Sequence, residues 1–347
     1  MWPFWLMFVL PAWAVLSPGR LPQRQRWVAW AAIGTLFTLM IGLRYEVGGD
    51  WVNYLEHFKR AAHLPLAQVL DKGDPGHYLL NWAAAQVGGS MVWVNLLYAC
   101  VLMTGTVVFC RRQPWPWLAL LVAVPYLLIV VGMGYSRQAV ALGFALLGLV
   151  ALGEHRVRAF VVWITLGALF HKSAVLLLPI AVLASSRNRF LSAGMVGVTF
   201  VMLYWLLLSQ EADALWTNYV EYQMQSQGAK IRVLMNAVPA ALMLLYGKRL
   251  AADPQERRLW TWMALLALLC VPLVSLASTA VDRVALYLIP LQLYVFARLP
   301  LLAGHNVRMR TALVLAVVGY YAVVQYVWLN HATHARYWLP YQFAPFT

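Results

Sequence analysis

The chain has 347 residues, 63% of them hydrophobic and 11% charged, whereas a water-soluble domain averages about 45–50% apolar and about 25% charged residues. With 26 Lys and Arg against 12 Asp and Glu it carries a net charge of +14, and its mean hydropathy is +0.68. So few charged side chains cannot cover a soluble fold of this length, which excludes a soluble enzyme, a disulfide-stapled secreted domain and a disordered chain and leaves an all-α, polytopic integral membrane protein. A cation excess that would point to nucleic acid in a soluble protein has its ordinary source here in cytoplasmic loops, so no nucleic-acid partner is expected.

A span needs about 20 apolar residues, with a lower limit near 17. The opening run, 2–17, has no basic n-region and is expected to be a retained first span. Runs at 27–43, 91–109, 114–133 and 138–152 follow. Between 157 and 184 an apolar stretch is interrupted by His171-Lys172. Split into arms 157–170 and 173–184, each is roughly 18–21 Å long, shorter than the hydrocarbon layer. The pair reads as a hairpin of short helices whose tip sits below the surface in a protein-lined cavity. Runs at 190–208, 231–247, 259–277, 284–297 and 309–329 bring the expected count to twelve segments in a single transmembrane domain, 1–347.

Charge supports that layout. With the N-terminus outside, the inner loops hold 16 cations and three acids, net +13, and the outer loops hold 10 cations and nine acids, net +1; together these recover +14. Both termini, including the tail 330–347, fall on the external face. Two further external segments are too polar to span: 44–90, whose NYLEHFKRAAHLPLAQVL and YLLNWAAAQV read as interfacial amphipathic helices, and 209–230. Cys100, Cys110 and Cys270 form no CxxC pair and read as small core residues.

Ionisable groups at membrane depth are costly and mark function by default. In this layout they gather on the outer side: Arg44 in RYEVGGDWVNY, Arg137 in GYSRQAVA, His171 and Lys172 at the hairpin tip, and Asp282 and Arg283 in VDRVALY. Taken singly, each has a plainer reading, as an interfacial snorkel, a turn residue or a surface ion pair. Several Arg and Lys around one outer cavity suit a diphosphate, which Arg grips with bidentate geometry. A carboxylate such as Asp50 or an imidazole such as His171 would take a proton from an attacking hydroxyl. Aromatic side chains such as Tyr54, Trp216 and Tyr222 are available to stack on sugars. There is no HExxH and no DxD motif, and neither a metal nor another cofactor is expected. The residues alone reach an outer-face site for an anionic lipid or a sugar.

Five stretches resemble one family. RYEVGGDWVNYLEHF resembles the R-x-x-x-G-x-D-x-x-x-Y element of EpsG-type proteins, a branch of the Wzy-like polysaccharide polymerases. GYSRQAVALGF, LFHKSAVLLLPI, DRVALY and YWLPYQF resemble later elements of that family, in order, over residues 44 to about 343. Gly49 and Trp51 depart from the pattern, where Thr-like and Tyr residues are common, without removing a charged group. The resemblance implies a GT-C-like, metal-independent, inverting glycosyltransferase of the bacterial inner membrane. It would move a growing glycan from undecaprenyl diphosphate to a hydroxyl of a fresh lipid-linked repeat unit, for an exopolysaccharide or O-antigen. Arg44, Arg137, Lys172 and Arg283 would hold the diphosphate; Asp50 or His171 would be the base; Asn53, Tyr54, Gln138, Trp216 and Tyr222 would position sugars. Donor and acceptor lipid-linked oligosaccharides, the bilayer, a chain-length regulator and a flippase are the implied partners. An O-antigen-ligase-like transferase and a transporter are the competing readings.

Overall fold

Apolar runs in this chain become helices because a backbone in hydrocarbon must satisfy its own N–H and C=O groups. The computed structural model describes residues 1–17, 19, 22–70, 73–184, 189–203, 205 and 228–346. The helices are α1 (Trp2–Leu16), α2 (Gln23–Gly42), α3 (Trp51–His63), α4 (Leu66–Leu70), α5 (Pro75–Gln86), α6 (Met91–Arg111) and α7 (Pro116–Gly134). There follow α8 (Ser136–Gly153), α9 (Val157–Phe170), α10 (Lys172–Ala184), α11 (Arg189–Leu203), α12 (Ala229–Leu250), α13 (Pro254–Leu273), α14 (Ser278–Leu286), α15 (Ile289–Phe296) and α16 (Val307–His331). Among the described residues there is no strand, and a lone β-bridge joins Arg44 to Phe343.

The number of full crossings differs from the expected twelve. Five helices, α6, α7, α8, α12 and α16, are long and apolar enough to span. The pair Ser278–Leu286 and Ile289–Ala303, bent by 44°, makes a sixth. The other six expected segments fall short as helices. The helices α1, α9 and α10 are brief, as is the apolar part of α11, Ala193–Leu203. In α2 and α13 the first turns, QRQR and PQERR, are polar and shorten the apolar stretch that follows. The 157–184 region breaks at His171, with Lys172–Leu177 wound as a 3₁₀ helix before α10 continues.

Hydropathy also hides which helices face lipid. Of the best apolar window, 94% is buried in α7 but only 28% in α16. Helix α7 is irregular as well: Val124–Val131 is π-helical, which leaves carbonyls that other groups can use. Cys110 and Cys270 are buried as expected of small core residues, whereas Cys100 is exposed.

The chain divides into two compact units. The first comprises Met1–Phe144, Leu169–His171 and Leu315–Thr347. Within it α2 packs on α6, α1 on α7, and α3 on α5. Helices α6 and α8 cross where two glycines meet: a Cβ on Gly105 would lie 2.1 Å from the Gly143 carbonyl oxygen, and one on Gly143 would lie 2.7 Å from that of Val101. Small residues of this kind let membrane helices approach backbone to backbone. A satellite core of Ala84, Val94, Tyr98 and Val140, with Phe144 and Phe170 against it, joins α5 and α6 to the start of α8.

The second unit comprises Ala145–Ala168 and Lys172–Val314. Helix α12 is its centre, packing on α13, α14 and α15. Helix α13 starts cleanly because Asp253 Oδ2 accepts the Glu256 N–H at 2.6 Å and Pro254 occupies the first turn. Trp260 stacks on Tyr294 at 4.1 Å, and Arg298, lying over the Tyr294 ring, donates to Glu256 at 2.9 Å.

The glycine crossing yields a test. Gly143→Val drives a branched side chain into the α6 backbone and is expected to cost about 3 kcal/mol, the top of the usual overpacking range. Gly153→Ala, at a glycine with open space around it, is expected to be neutral. Thermal unfolding of the detergent-solubilised protein reads both, and a wild-type melting temperature for Gly143→Val would contradict the packing.

Candidate functional site

The RYEVGGD segment leaves α2 and turns into α3 in a conformation that only particular residues permit. Gly48 has φ of +110°, and a Cβ there would lie 2.1 Å from the Met133 carbonyl oxygen. Both facts require glycine. The C-terminal tail clasps this segment. Tyr45 N–H donates to the Gln342 carbonyl at 3.1 Å, Ala344 N–H to Leu43 at 2.8 Å and Gly48 N–H to Tyr337 at 2.8 Å. Tyr341 donates its hydroxyl to the Met40 carbonyl at 2.6 Å. Trp338 is buried, lies against Gly134, and donates its indole N–H at 3.1 Å to Ile129, a carbonyl of the π-helical stretch.

Arg44 is 1% exposed. Its Nη1 donates to the Ile41 carbonyl at 2.6 Å, its Nε to Val47 at 3.1 Å, and its Nη2 to Asn95 Oδ1 at 3.2 Å and Ser136 Oγ at 2.7 Å. Burial lowers its pKa to about 10, so it stays charged at neutral pH. The expected diphosphate ligand is thus an internal cross-link. Four of its five N–H groups tie the end of α2 and the glycine turn to α6 and α8.

The next residue after Ser136 is Arg137, at the start of α8, and its side chain is 30% exposed. Its Nη1 lies 2.6 Å from Asp74 Oδ2, and its backbone N–H donates to the Tyr54 hydroxyl at 3.4 Å. The guanidinium carbon stands 5.9 Å from the centre of the Tyr54 ring. Nε of Arg137, Nε2 of the adjacent Gln138 and Nδ2 of Asn95 are buried donors without a partner among the described residues. Three unmet donors in one region are costly in an empty site and useful to an oxygen-rich ligand.

Beside Arg137 lies a histidine pair. His57 Nδ1 is 3.2 Å from His77 Nε2, and His77 Nδ1 is 2.7 Å from the Tyr98 hydroxyl. Asn81, one turn along α5, donates from Nδ2 to the His77 carbonyl at 2.7 Å, and the same Nδ2 lies 3.2 Å from His77 Nδ1. Burial first, then Arg137, His57 and His171, hold His77 well below the ordinary histidine range. Burial, then Arg137 and Arg60, lower His57 more mildly, with Glu56 opposing. Both imidazoles are therefore neutral at neutral pH. Burial raises the Tyr54 phenol, Arg137 opposing and Asp50 adding to the rise.

The first unit therefore brings together Arg44, Tyr54, Arg137, Gln138 and His171, with Asp50 part-exposed immediately before α3 and Asn53 exposed one turn before His57. His171 is 8% exposed and close enough to His77 to disfavour its protonation. Lys172 and Arg283 belong to the second unit. There Asp282 is buried and gripped by both Nε and Nη2 of Arg232, at 2.7 and 2.5 Å, while Arg283 is exposed. Asn236 bridges that region, donating to the Ala285 carbonyl at 2.8 Å and accepting from Gln292 at 2.6 Å. Trp216 and Tyr222, with most of 209–230, lie outside the described residues. Among the described residues no three His, Cys, Asp or Glu side chains gather as metal ligands would.

Sequence reasoning did not reach Asp74, His57, His77, Tyr98 or Arg232. The signals available were two of the three histidines in the polar 44–90 segment and an asparagine four residues after one of those two.

The family model for EpsG matches residues 27–343, nearly the whole chain. The chain belongs to the EpsG family. EpsG is a Wzy-like polymerase family, and membership brings a polysaccharide polymerase-like function to a multi-pass helical membrane protein. No match is found among curated proteins or among solved structures. All five stretches that resembled EpsG lie within the matched region, and the first, second and last of them, around Arg44, Arg137 and Trp338, pack into one unit.

Removing the Arg44 guanidinium strands buried acceptors on three helices. Arg44→Gln is expected to destabilise the protein by about 3 kcal/mol or more. Thermal unfolding in detergent checks this; a wild-type melting temperature would show that Arg44 is not a structural cross-link.

Proposed function

We propose that this EpsG protein is a polysaccharide polymerase that transfers a growing glycan from a polyprenyl diphosphate to a hydroxyl of a lipid-linked repeat unit, at the outer face of the bacterial inner membrane. The observation that carries this reading is Arg137, a cation at the start of a spanning helix, braced by Asp74 and with a buried Nε that no described residue meets.

In such a transfer the acceptor oxygen attacks the anomeric carbon while the bond from that carbon to the diphosphate oxygen breaks. Negative charge grows on the departing diphosphate, and a guanidinium already held in place stabilises it. Asp74 holds Arg137 in place, so little reorganisation is needed as the charge develops. The unmet Nε2 of Gln138 supplies a neutral donor next to it. Arg44, whose guanidinium faces protein acceptors, serves this reading as the brace behind the site. Tyr54 and Asn53 line the acceptor side together with Asp50 and His171. Attack opposite the leaving group inverts the anomeric centre, the outcome assigned to GT-C-like transferases. Lys172 and Arg283 enter no step of this mechanism.

The test uses purified full-length protein in nanodiscs, with lipid-linked repeat unit extracted from a host deleted for this chain. The wild type is expected to make a ladder of products spaced by one repeat. Arg137→Gln is expected to lower the rate at least 100-fold. Transfer to a different acceptor with no ladder would identify a ligase, and translocation of the lipid-linked sugar without bond formation would identify a transporter. Either would overturn the polymerase reading, as would a wild-type rate for Arg137→Gln.

A further inference from the structure

The polymerase reading requires a group to take the acceptor proton, and the histidine pair in the first unit has the geometry for it. Helix α3 carries His57, α5 carries His77 and α6 carries Tyr98, and side-chain contacts join them in a row: 3.2 Å between the imidazoles and 2.7 Å from His77 to the phenol oxygen. The row runs from the core outward. Tyr98 and His77 are buried, and His57 is part-exposed. The inner end is fixed. Asn81 holds the His77 carbonyl at 2.7 Å and lies 3.2 Å from His77 Nδ1, while Ala84, Val94 and Val140 pack with Tyr98.

Because Nδ1 of His57 faces His77, its Nε2 is the nitrogen left for a substrate. We infer, on the basis of the polymerase reading, that His57 is the general base for the acceptor hydroxyl, with His77 and Tyr98 as the positioning residues behind it. In the active tautomer His57 donates Nδ1–H to Nε2 of His77 and His77 donates Nδ1–H to the Tyr98 oxygen; Asn81 then keeps the His77 carbonyl and gives up the 3.2 Å hydrogen bond that its Nδ2 donates to His77 Nδ1 in the other tautomer. Nε2 of His57 takes the proton from the acceptor O–H. The oxygen's electron pair forms the new bond to the anomeric carbon, and the pair of the breaking C–O bond leaves with the polyprenyl diphosphate toward Arg137. The resulting imidazolium is stabilised by its Nδ1–H bond to His77 and returns its proton to water when the product leaves. A base oriented by a second group that is itself oriented by a third is a recurrent solution for activating a hydroxyl.

The surroundings favour the neutral form that a base needs. Arg137 on α8 and Arg60 on α3, the helix that carries His57, oppose its charging; Glu56, also on α3, favours charging. His77 and Tyr78 on α5 and Tyr54 on α3 complete the ring of groups around it. Since the folded value lies below the ordinary value of about 6.5, the active form is present at and above neutral pH and is lost as pH falls through that lowered value.

The experiment measures ladder formation by the full chain in nanodiscs, with the same extracted lipid-linked repeat unit, between pH 5 and pH 8. The wild type is expected to show a plateau above neutrality and an acid limb with its midpoint below 6.5. His57→Ala is expected to lose at least 100-fold in rate and to regain at least tenfold with added imidazole. Tyr98→Phe is expected to keep a measurable rate with a displaced acid limb. A His57→Ala rate within threefold of wild type, or no rescue by imidazole, overturns the assignment. Should His57→Ala not fold, the other two readouts decide it: a flat wild-type profile or an unmoved limb in Tyr98→Phe overturns it. A wild type that makes no ladder refutes the polymerase reading instead, so the two failures are distinct.

Discussion

A guanidinium buried to 1% exposure must have almost every N–H met by the protein, and Arg44 does. The consequence reaches beyond one residue. Its acceptors come from the end of α2, the glycine turn, α6 and Ser136, and Ser136 is the residue before Arg137. Once Arg44 is seated, the start of α8 is fixed from behind, and Asp74 fixes it from the front. The C-terminal tail closes the arrangement by covering the same turn, with Trp338 occupying space that only glycine at 134 leaves open. Polar groups inside a membrane protein carry a high desolvation cost when unpaired, and this network explains why so many can gather in one unit.

What remains unmet is equally informative. Most buried polar atoms have a partner, yet Arg137 Nε, Gln138 Nε2 and Asn95 Nδ2 have none among the described residues, and they lie along the face where Arg44 and Arg137 are held. Next to them stand two imidazoles kept neutral, chiefly by burial. A fixed cation beside neutral bases separates the two demands of glycosyl transfer from a diphosphate: stabilising a leaving anion, and accepting a proton without competing for that anion. Membership of the EpsG family points to a polysaccharide polymerase-like function, and it is under the proposed polymerase reading that those demands arise together.

Much of this could be read in the chain. Arg44, Asp50, Tyr54, Arg137 and His171 were marked by charge in apolar surroundings or by motif, and all of them lie in the first unit. Their separate roles could not be read, because an arginine at a helix end looks the same whether it faces lipid headgroups, substrate or, like Arg44, four protein acceptors. His57, His77 and Tyr98 escaped notice since their row is assembled across three helices from residues that, one at a time, fit an amphipathic surface or an apolar span. Asp74 escaped for a similar reason: its partner is 63 positions away. Of the twelve expected segments, five helices, or six if the bent pair is one span, are long and apolar enough to cross among the described residues. Six apolar runs form helices shortened by a polar first turn or by brevity, and hydropathy alone does not distinguish the enclosed α7 from the peripheral α16.

The account stands or falls on Arg137 as the diphosphate grip. The most direct measurement is calorimetric titration of the detergent-solubilised protein with farnesyl diphosphate. It would compare the wild type with the paired variant Arg137→Gln/Asp74→Asn, which removes the cation together with the charge of the carboxylate that faces it. The account predicts saturable binding by the wild type and at least tenfold weaker binding by the pair at an unchanged melting temperature. Equal affinity in the two proteins would contradict it.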